Sequence, residues 1–248
     1  CSRTATVTIN AAPPAITGAA TSVCQGSTIS WSEPVGGVWT SSSTAIATVS
    51  GGTTTVATIT GGASTGVATI TYTHSTTTCI ATRDVTVNVT PAAISGPVDV
   101  CMGSVTTYST TPTGGTWSVF SGPGSITSTG DYTASATGTA TLRYTMPGTG
   151  CFRALSVVVH PQPSAIAGTM QVCVGRSVTL TNTLAGGTWS SPDDPTLVTV
   201  AGAGTSATVT GNSAGVATIS YTMPSAGACY SLAYVTVNPN PAAITGSV

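Results

Sequence analysis

The sequence predicts an all-β chain of tandem antiparallel β-sandwiches set end to end, on three observations. A glycine pair leading to tryptophan recurs at Gly36-Gly37-Val38-Trp39, Gly114-Gly115-Thr116-Trp117 and Gly186-Gly187-Thr188-Trp189. Each tryptophan follows a cysteine by 15 or 16 residues (39−24, 117−101, 189−173), and a second cysteine closes each unit at Cys79, Cys151 and Cys229. Between these landmarks Thr and β-branched residues prevail, while the helix formers Glu, Leu and Gln are rare and Lys is absent. Self-similarity at a fixed period marks a repeat architecture.

Corresponding isoleucines Ile16, Ile94, Ile166 and Ile244 give spacings of 78, 72 and 78 (94−16, 166−94, 244−166). The expected organisation is therefore a last strand of a preceding repeat at 1–12, repeats at 13–90, 91–162 and 163–240, and the start of a further repeat at 241–248. On this reading the chain is a piece of a longer repetitive protein. Thr4–Asn10 alternates apolar Ala5, Val7 and Ile9 with polar neighbours, the period of a half-buried strand. It matches Val85–Val89, Val157–Val159 and Val235–Asn238, which close the three repeats.

A proline-rich joint follows each closing strand: Ala11-Ala12-Pro13-Pro14, Thr90-Pro91, Pro161-Gln162-Pro163 and Pro239-Asn240-Pro241. Proline fixes its own φ and biases the residue before it to extended geometry, so the joints are stiff spacers. Inside a repeat, an opening strand runs to the first cysteine, as at Val98–Cys101, and a turn glycine (Gly26, Gly103, Gly175) leads to a strand such as Ser177–Thr181. The tryptophan strand comes next. Two strands such as Ala45–Val49 and Val56–Thr60 follow, and the penultimate strand ends on Tyr72, Tyr144 or Tyr221. About seven short strands with regular turn signals indicate a sandwich.

Charged residues make up 4% of the chain and the net charge is −1, which excludes the clustered Lys and Arg of a nucleic-acid surface. Thr, Ser and Gly interrupt every apolar run long before the ~18 residues a spanning helix needs, so no membrane insertion is expected. Cysteines in so regular a frame point to disulfides and an extracellular, oxidising setting. Pairing within repeats (Cys24–Cys79, Cys101–Cys151, Cys173–Cys229) leaves Cys1 unpaired; pairing across joints (Cys1–Cys24, Cys79–Cys101, Cys151–Cys173) leaves Cys229 over. One core per repeat favours the first, because a domain of about 75 residues is marginal without a cross-link.

The order Cys, Trp, Tyr-proximal Cys resembles an immunoglobulin-type sandwich. More specifically, the chain is similar to the bacterial Ig-like and PKD-like tandem repeats of giant secreted surface proteins in gliding and cellulose-degrading Bacteroidetes. The shared residues are Ile-Thr-Gly and Val-Cys-x-Gly at the opening, the glycine pair before Trp, the Ala-Thr-Ile-x-Tyr-Thr strand, and a closing Val-Thr-Val-Asn-Pro. The resemblance implies tandem immunoglobulin-like domains of a filament or adhesin stalk at the cell surface, of the gliding-motility type. One departure stands out: the tyrosine precedes the second cysteine by 7 or 8 positions (79−72, 151−144, 229−221), not two. The bridge therefore need not be the pin between sheets found in antibody domains.

No catalytic constellation emerges, and no enzyme activity, cofactor or metal is expected. His74 and His160 occupy unrelated places and read as solvated residues of a hairpin and a linker. Asp193-Asp194 reads as a turn, with too few oxygens for calcium. Trp39, Trp117 and Trp189 recur in step and, with Tyr72, Tyr144 and Tyr221, are assigned to the core; Trp31 has no copy in the other tryptophan positions and is free to be exposed as a glycan platform. Asn88-Val89-Thr90 matches a glycosylation sequon. The expected role is structural: a stalk segment whose partners are neighbouring repeats and which extends a distal binding tip. The alternatives are repeats that bind glycans or another surface multivalently, and spacer modules of a large secreted hydrolase.

Overall fold

In the computed structural model, residues 3–192, 195–224 and 227–242 are described. They form 22 strands and no helix. The first repeat holds β1 (Ser22–Cys24), β2 (Thr28–Ser32), β3 (Gly37–Ser41), β4 (Ala47–Ser50), β5 (Val56–Gly61), β6 (Gly66–His74) and β7 (Ile80–Asn88). They build one sheet in the order β1-β7-β6-β3 and a second in the order β2-β5-β4. All pairs are antiparallel except β1 with β7, which run parallel with Cys24 opposite Asn88.

The third repeat repeats this plan. Gln171–Cys173, Tyr230–Asn238, Gly215–Thr222 and Thr188–Ser190 form one sheet; Ala167–Gly168, Ser177–Thr181, Ser206–Gly211 and Val198–Ala203 form the other. The strand order is that of an immunoglobulin-type sandwich. The second repeat keeps the four-stranded sheet (Thr116–Ser121, Gly138–Thr145, Phe152–His160, Asp99–Cys101) and faces it with three short strands, Ser125–Ile126, Asp131–Thr133 and Val105–Thr107. By contact the chain divides into two compact units: 1–94 with 110–116 and 144–154, and 95–109 with 117–143 and 155–248.

Inward positions of the alternating strands make each core. In the first repeat Trp39, Ile59, Ala68, Ile70, Tyr72, Val85 and Val87 are buried together; in the third, Leu180, Trp189, Val209, Ile219, Tyr221, Val235 and Val237. Tyr144 is also buried and Trp117 is half-buried. The recurrent glycine pair has a packing cause. The tyrosine hydroxyl donates to a carbonyl one or two residues before the pair, at Val35, Pro112 (3.1 Å) and Leu184 (2.6 Å), and it accepts the N–H of Gly115 at 2.7 Å and of Gly187 at 2.8 Å. The second glycine therefore lies flat on the ring: a Cβ at Gly37 or Gly187 would stand 2.5 Å from the tyrosine Cζ. Trp39 and Trp189 then pack on the same rings, 5.0 and 4.7 Å between centroids. Gly187→Ala is expected to cost roughly 1–3 kcal/mol by overpacking, measured as a lower denaturant midpoint; an unchanged midpoint would contradict this packing.

Two expectations need correction. Thr4–Asn10 forms no ladder, and Val7 and Ile9 are 82% and 92% exposed. An alternating pattern makes a strand only beside partners, and the equivalent β7 has a neighbour on each side. Trp31 is not a surface platform but 1% exposed, with its indole N–H donating to Ala20 at 2.7 Å and the Arg83 guanidinium 4.6 Å over its ring. Its counterparts are not tryptophans: Tyr108 and Leu180 occupy the same place, seven residues after the first cysteine (31−24, 108−101, 180−173), and all three are buried. The Tyr108 hydroxyl donates to Pro97 at 2.8 Å, and burial with Tyr132 beside it pushes its pKa up to about 12.

Two residues further on sit Glu33, Thr110 and Asn182 (33−24, 110−101, 182−173). Thr110 and Asn182 donate to the incoming joint, at Ala92 (2.9 Å) and Ser164 (2.7 Å). Glu33 is fully buried and neither carboxyl oxygen has a hydrogen-bond partner. Burial raises its pKa above the usual carboxylate value, with His74 opposing. Because the folded value lies above the unfolded one, this group's contribution is fully present below the unfolded pKa of about 4.3 and is lost as pH rises through the folded value. Wild-type stability should therefore decline, as pH rises above the unfolded value, more steeply than that of Glu33→Gln. Parallel pH curves from urea titrations of the two would contradict it.

Candidate functional site: the cross-repeat disulfide junctions

Among the described residues the structure forms two disulfides, Cys24–Cys151 and Cys101–Cys229, each with Cα atoms 5.7 Å apart. Each joins the first cysteine of one repeat to the second cysteine of the next. The pairing expected within repeats is thus not the one formed, and the pairing across joints is not formed either, since Cys79 and Cys173 are free thiols. Cys1 lies outside the described residues.

The geometry of the closing strand explains why a repeat cannot pair its own cysteines. Cys24 stands opposite Asn88 at the end of β7, whereas Cys79 immediately precedes Ile80 at its start. Eight residues of extended strand (88−80) put roughly 26 Å between those ends, far beyond the ~6 Å Cα separation a disulfide spans. The same registers place Cys101 opposite His160 and Cys173 opposite Asn238, with Cys151 and Cys229 at the far ends of those strands.

Both halves of the junction are locally built. The first cysteine ends the short parallel strand and enters a turn at a left-handed glycine: Gly26 (φ 76°), Gly103 (84°) or Gly175 (76°). The carbonyl of the cysteine accepts the N–H three residues on, from Ser27, Ser104 or Arg176, at 2.9–3.0 Å. The second cysteine leaves a hairpin whose preceding residue is left-handed in every repeat: Thr78 (φ 57°), Gly150 (71°) and Ala228 (43°). Its carbonyl accepts the N–H of His74, Met146 or Met223 at 2.8–2.9 Å.

Polar contacts surround the bridges. In the unit containing Cys24–Cys151, the Thr90 N–H donates to the Gln25 side-chain oxygen and the Thr90 hydroxyl to the Gln25 carbonyl, both at 3.0 Å, while Arg153 Nε donates to Pro91 at 3.0 Å. In the unit containing Cys101–Cys229, Gln162 Nε2 donates to Tyr230 at 2.6 Å, and His160 Nε2 meets Asp99 Oδ1 at 2.6 Å. Cys151 and Cys229 are buried. Gln25, Thr90, Arg153 and Gln162 escaped the sequence reading; the available signal was their place, within two residues of a cysteine or inside a proline joint.

The remaining candidates are placed as follows. His160 is not a solvated linker residue: it ends the strand Phe152–His160 and pairs with Asp99. His74 ends β6, half-buried, with Nδ1 taking the Thr77 N–H at 3.1 Å. Asn88 is the last residue of β7, and Thr90 of the sequon is engaged with Gln25. Asp193-Asp194 lies outside the described residues. Among the described residues no group of three or more His, Cys, Asp or Glu could hold a metal ion, and no helix is long and apolar enough to cross a membrane.

No protein-family model matches the sequence, and no curated protein does either. Solved structures similar to the chain include domains 1–6 of the surface layer protein SbsC (15% identity, 93% of this chain and 41% of that one, TM-score 0.26) and a C-terminal intimin fragment in complex with the translocated intimin receptor (13%, 64% and 67%, TM-score 0.41). A titin fragment, I67–I69, is similar at 11% identity over 94% of this chain and 100% of that one, TM-score 0.25. The chain spans about two fifths of the S-layer structure's length. At these identities and TM-scores no role passes from those proteins to this one.

Proposed function

We propose that the chain is a non-enzymatic, load-bearing stalk segment of a secreted bacterial surface protein, of the adhesin or gliding-motility kind its repeats resemble, extending a distal binding tip from the cell. The observation that carries this reading is the pairing of cysteines between successive repeats, which makes the joints covalently redundant. A catalytic spacer has no need of that; a tether under tension does. The bridges also favour an oxidising, extracellular setting. Immunogold labelling of intact producing cells with an antibody to this segment is expected to place gold outside the envelope. Label seen only in permeabilised cells would overturn the reading.

The glycan-binding alternative finds one point of support, in the third repeat. Tyr230, Leu232 and Tyr234 are exposed on one face of the closing strand. Ile80, Thr82 and Asp84 stand at the equivalent places in the first repeat, so such a surface would not recur along the array. Quenching of Tyr fluorescence by soluble glycans, lost in Tyr234→Ser, would favour it.

A further inference from the structure

We propose that the Cys173 end of the third repeat is a docking site for the second-cysteine hairpin of another repeat of this type, and that the Cys79 hairpin of the first repeat is its complement. In the isolated chain a second copy supplies that occupant, so copies join head to tail through a Cys173–Cys79 disulfide. This goes beyond the stalk reading, because it names a covalent partner and the two residues that bond.

The two disulfides already formed are occupied copies of the same site, and the free cysteines match them feature by feature. Cys173 ends a strand paired in parallel with the closing strand, opposite Asn238, as Cys24 lies opposite Asn88 and Cys101 opposite His160. The N–H after the cysteine donates across to that opposite residue at 2.9–3.0 Å in all three, from Gln25, Met102 and Val174. Gly175 has the left-handed turn of Gly26 and Gly103. Cys24 and Cys101 are capped by a hairpin of the next repeat, whereas Cys173 is exposed beside a cavity of about 320 Å³ lined by Gln171, Arg176 and Asn238 among others.

The Cys79 hairpin is equally prepared. Thr78 holds the left-handed conformation of Gly150 and Ala228, although a threonine adopts it at a cost. The His74 N–H to Cys79 carbonyl bond matches Met146 to Cys151 and Met223 to Cys229, and the Cys79 N–H meets the Thr77 hydroxyl at 3.4 Å as that of Cys151 meets Thr149. A hairpin already in its bonded shape loses little entropy on docking.

The bond forms by thiol–disulfide exchange with a low-molecular-weight disulfide such as oxidised glutathione. The Cys173 thiolate attacks one glutathione sulfur and expels a glutathione thiolate, leaving a mixed disulfide. The Cys79 thiolate of the second copy then attacks the Cys173 sulfur and expels the second glutathione. Two protein thiols lose two electrons and two protons, and two glutathione thiols gain them.

The test uses the full chain with Cys1→Ser to remove the extra thiol. One sample carries Cys79→Ala and a small tag, the other Cys173→Ala and a larger tag, and equal amounts are mixed in a reduced and oxidised glutathione buffer. Non-reducing electrophoresis is expected to show the mixed dimer at least about tenfold over either like-with-like dimer, because docking raises the effective concentration of the right pair. A random distribution, a predominance of like-with-like dimers, or glutathione adducts alone would overturn the proposal. Peptide mapping for intact Cys24–Cys151 and Cys101–Cys229 bridges shows that each variant is folded. Such a failure leaves the stalk reading standing, since labelling of intact cells decides that separately.

Discussion

Pulled between residues 24 and 229, the oxidised chain is expected to stretch to an end-to-end distance of no more than ~180 Å, and the reduced chain to ~740 Å, at about 3.6 Å per residue. The difference follows from the covalent graph. The two bridges fuse residues 24 and 151 into one node and 101 and 229 into another. Three lengths of backbone run in parallel between those nodes, of 77, 50 and 78 residues (101−24, 151−101, 229−151), and the shortest sets the limit. Without bridges, 205 residues (229−24) lie in series. Single-molecule stretching with and without reductant measures this directly; equal extensions would refute the braced joint. The same graph gives a sharper consequence, in that cutting any single backbone bond between 24 and 229 leaves the chain connected. Cleavage after Arg83, between Cys79 and Cys101, would sever a chain paired within repeats.

Removing one bridge by Cys24→Ala with Cys151→Ala should lower stability by ~5 kcal/mol on the chain-entropy model, for a loop closing over 127 residues. That is a large part of the total stability of a domain. The two loops overlap between 101 and 151, so the two losses are not independent, and removing both should cost at least the sum of the single removals. Guanidinium titration of the oxidised variants reports the loss as a lower midpoint with little change in slope. A midpoint equal to wild type would mean that the bridge strains the fold as much as it constrains the unfolded chain.

Much of the fold was legible because strands, turns and joints are written locally. Alternation in Val85–Val89 and Val235–Asn238, prolines after them, and glycines before each tryptophan state their structural roles within a few residues. What failed was information carried by topology. Thr4–Asn10 has the alternation of β7 but no neighbours to pair with. Trp31 looked unique because its equivalents are Tyr108 and Leu180; counting from the cysteine, not matching by residue type, aligns all three. The cysteine pairing depended on a fact no spacing reveals: the strand before the first cysteine lies parallel to the closing strand, so the two cysteines of a repeat sit at opposite ends of it.

The five arginines make the pairing directly readable. They lie at 3, 83, 143, 153 and 176, so trypsin separates every described cysteine except Cys24 from Cys79. Mass spectrometry of a non-reducing tryptic digest of the oxidised chain, with free thiols alkylated beforehand to prevent exchange, is predicted to find peptide 4–83 linked to 144–153 and peptide 84–143 linked to 177–248. Finding instead 84–143 linked to 144–153, and 154–176 linked to 177–248, would restore pairing within repeats and contradict the cross-braced junction.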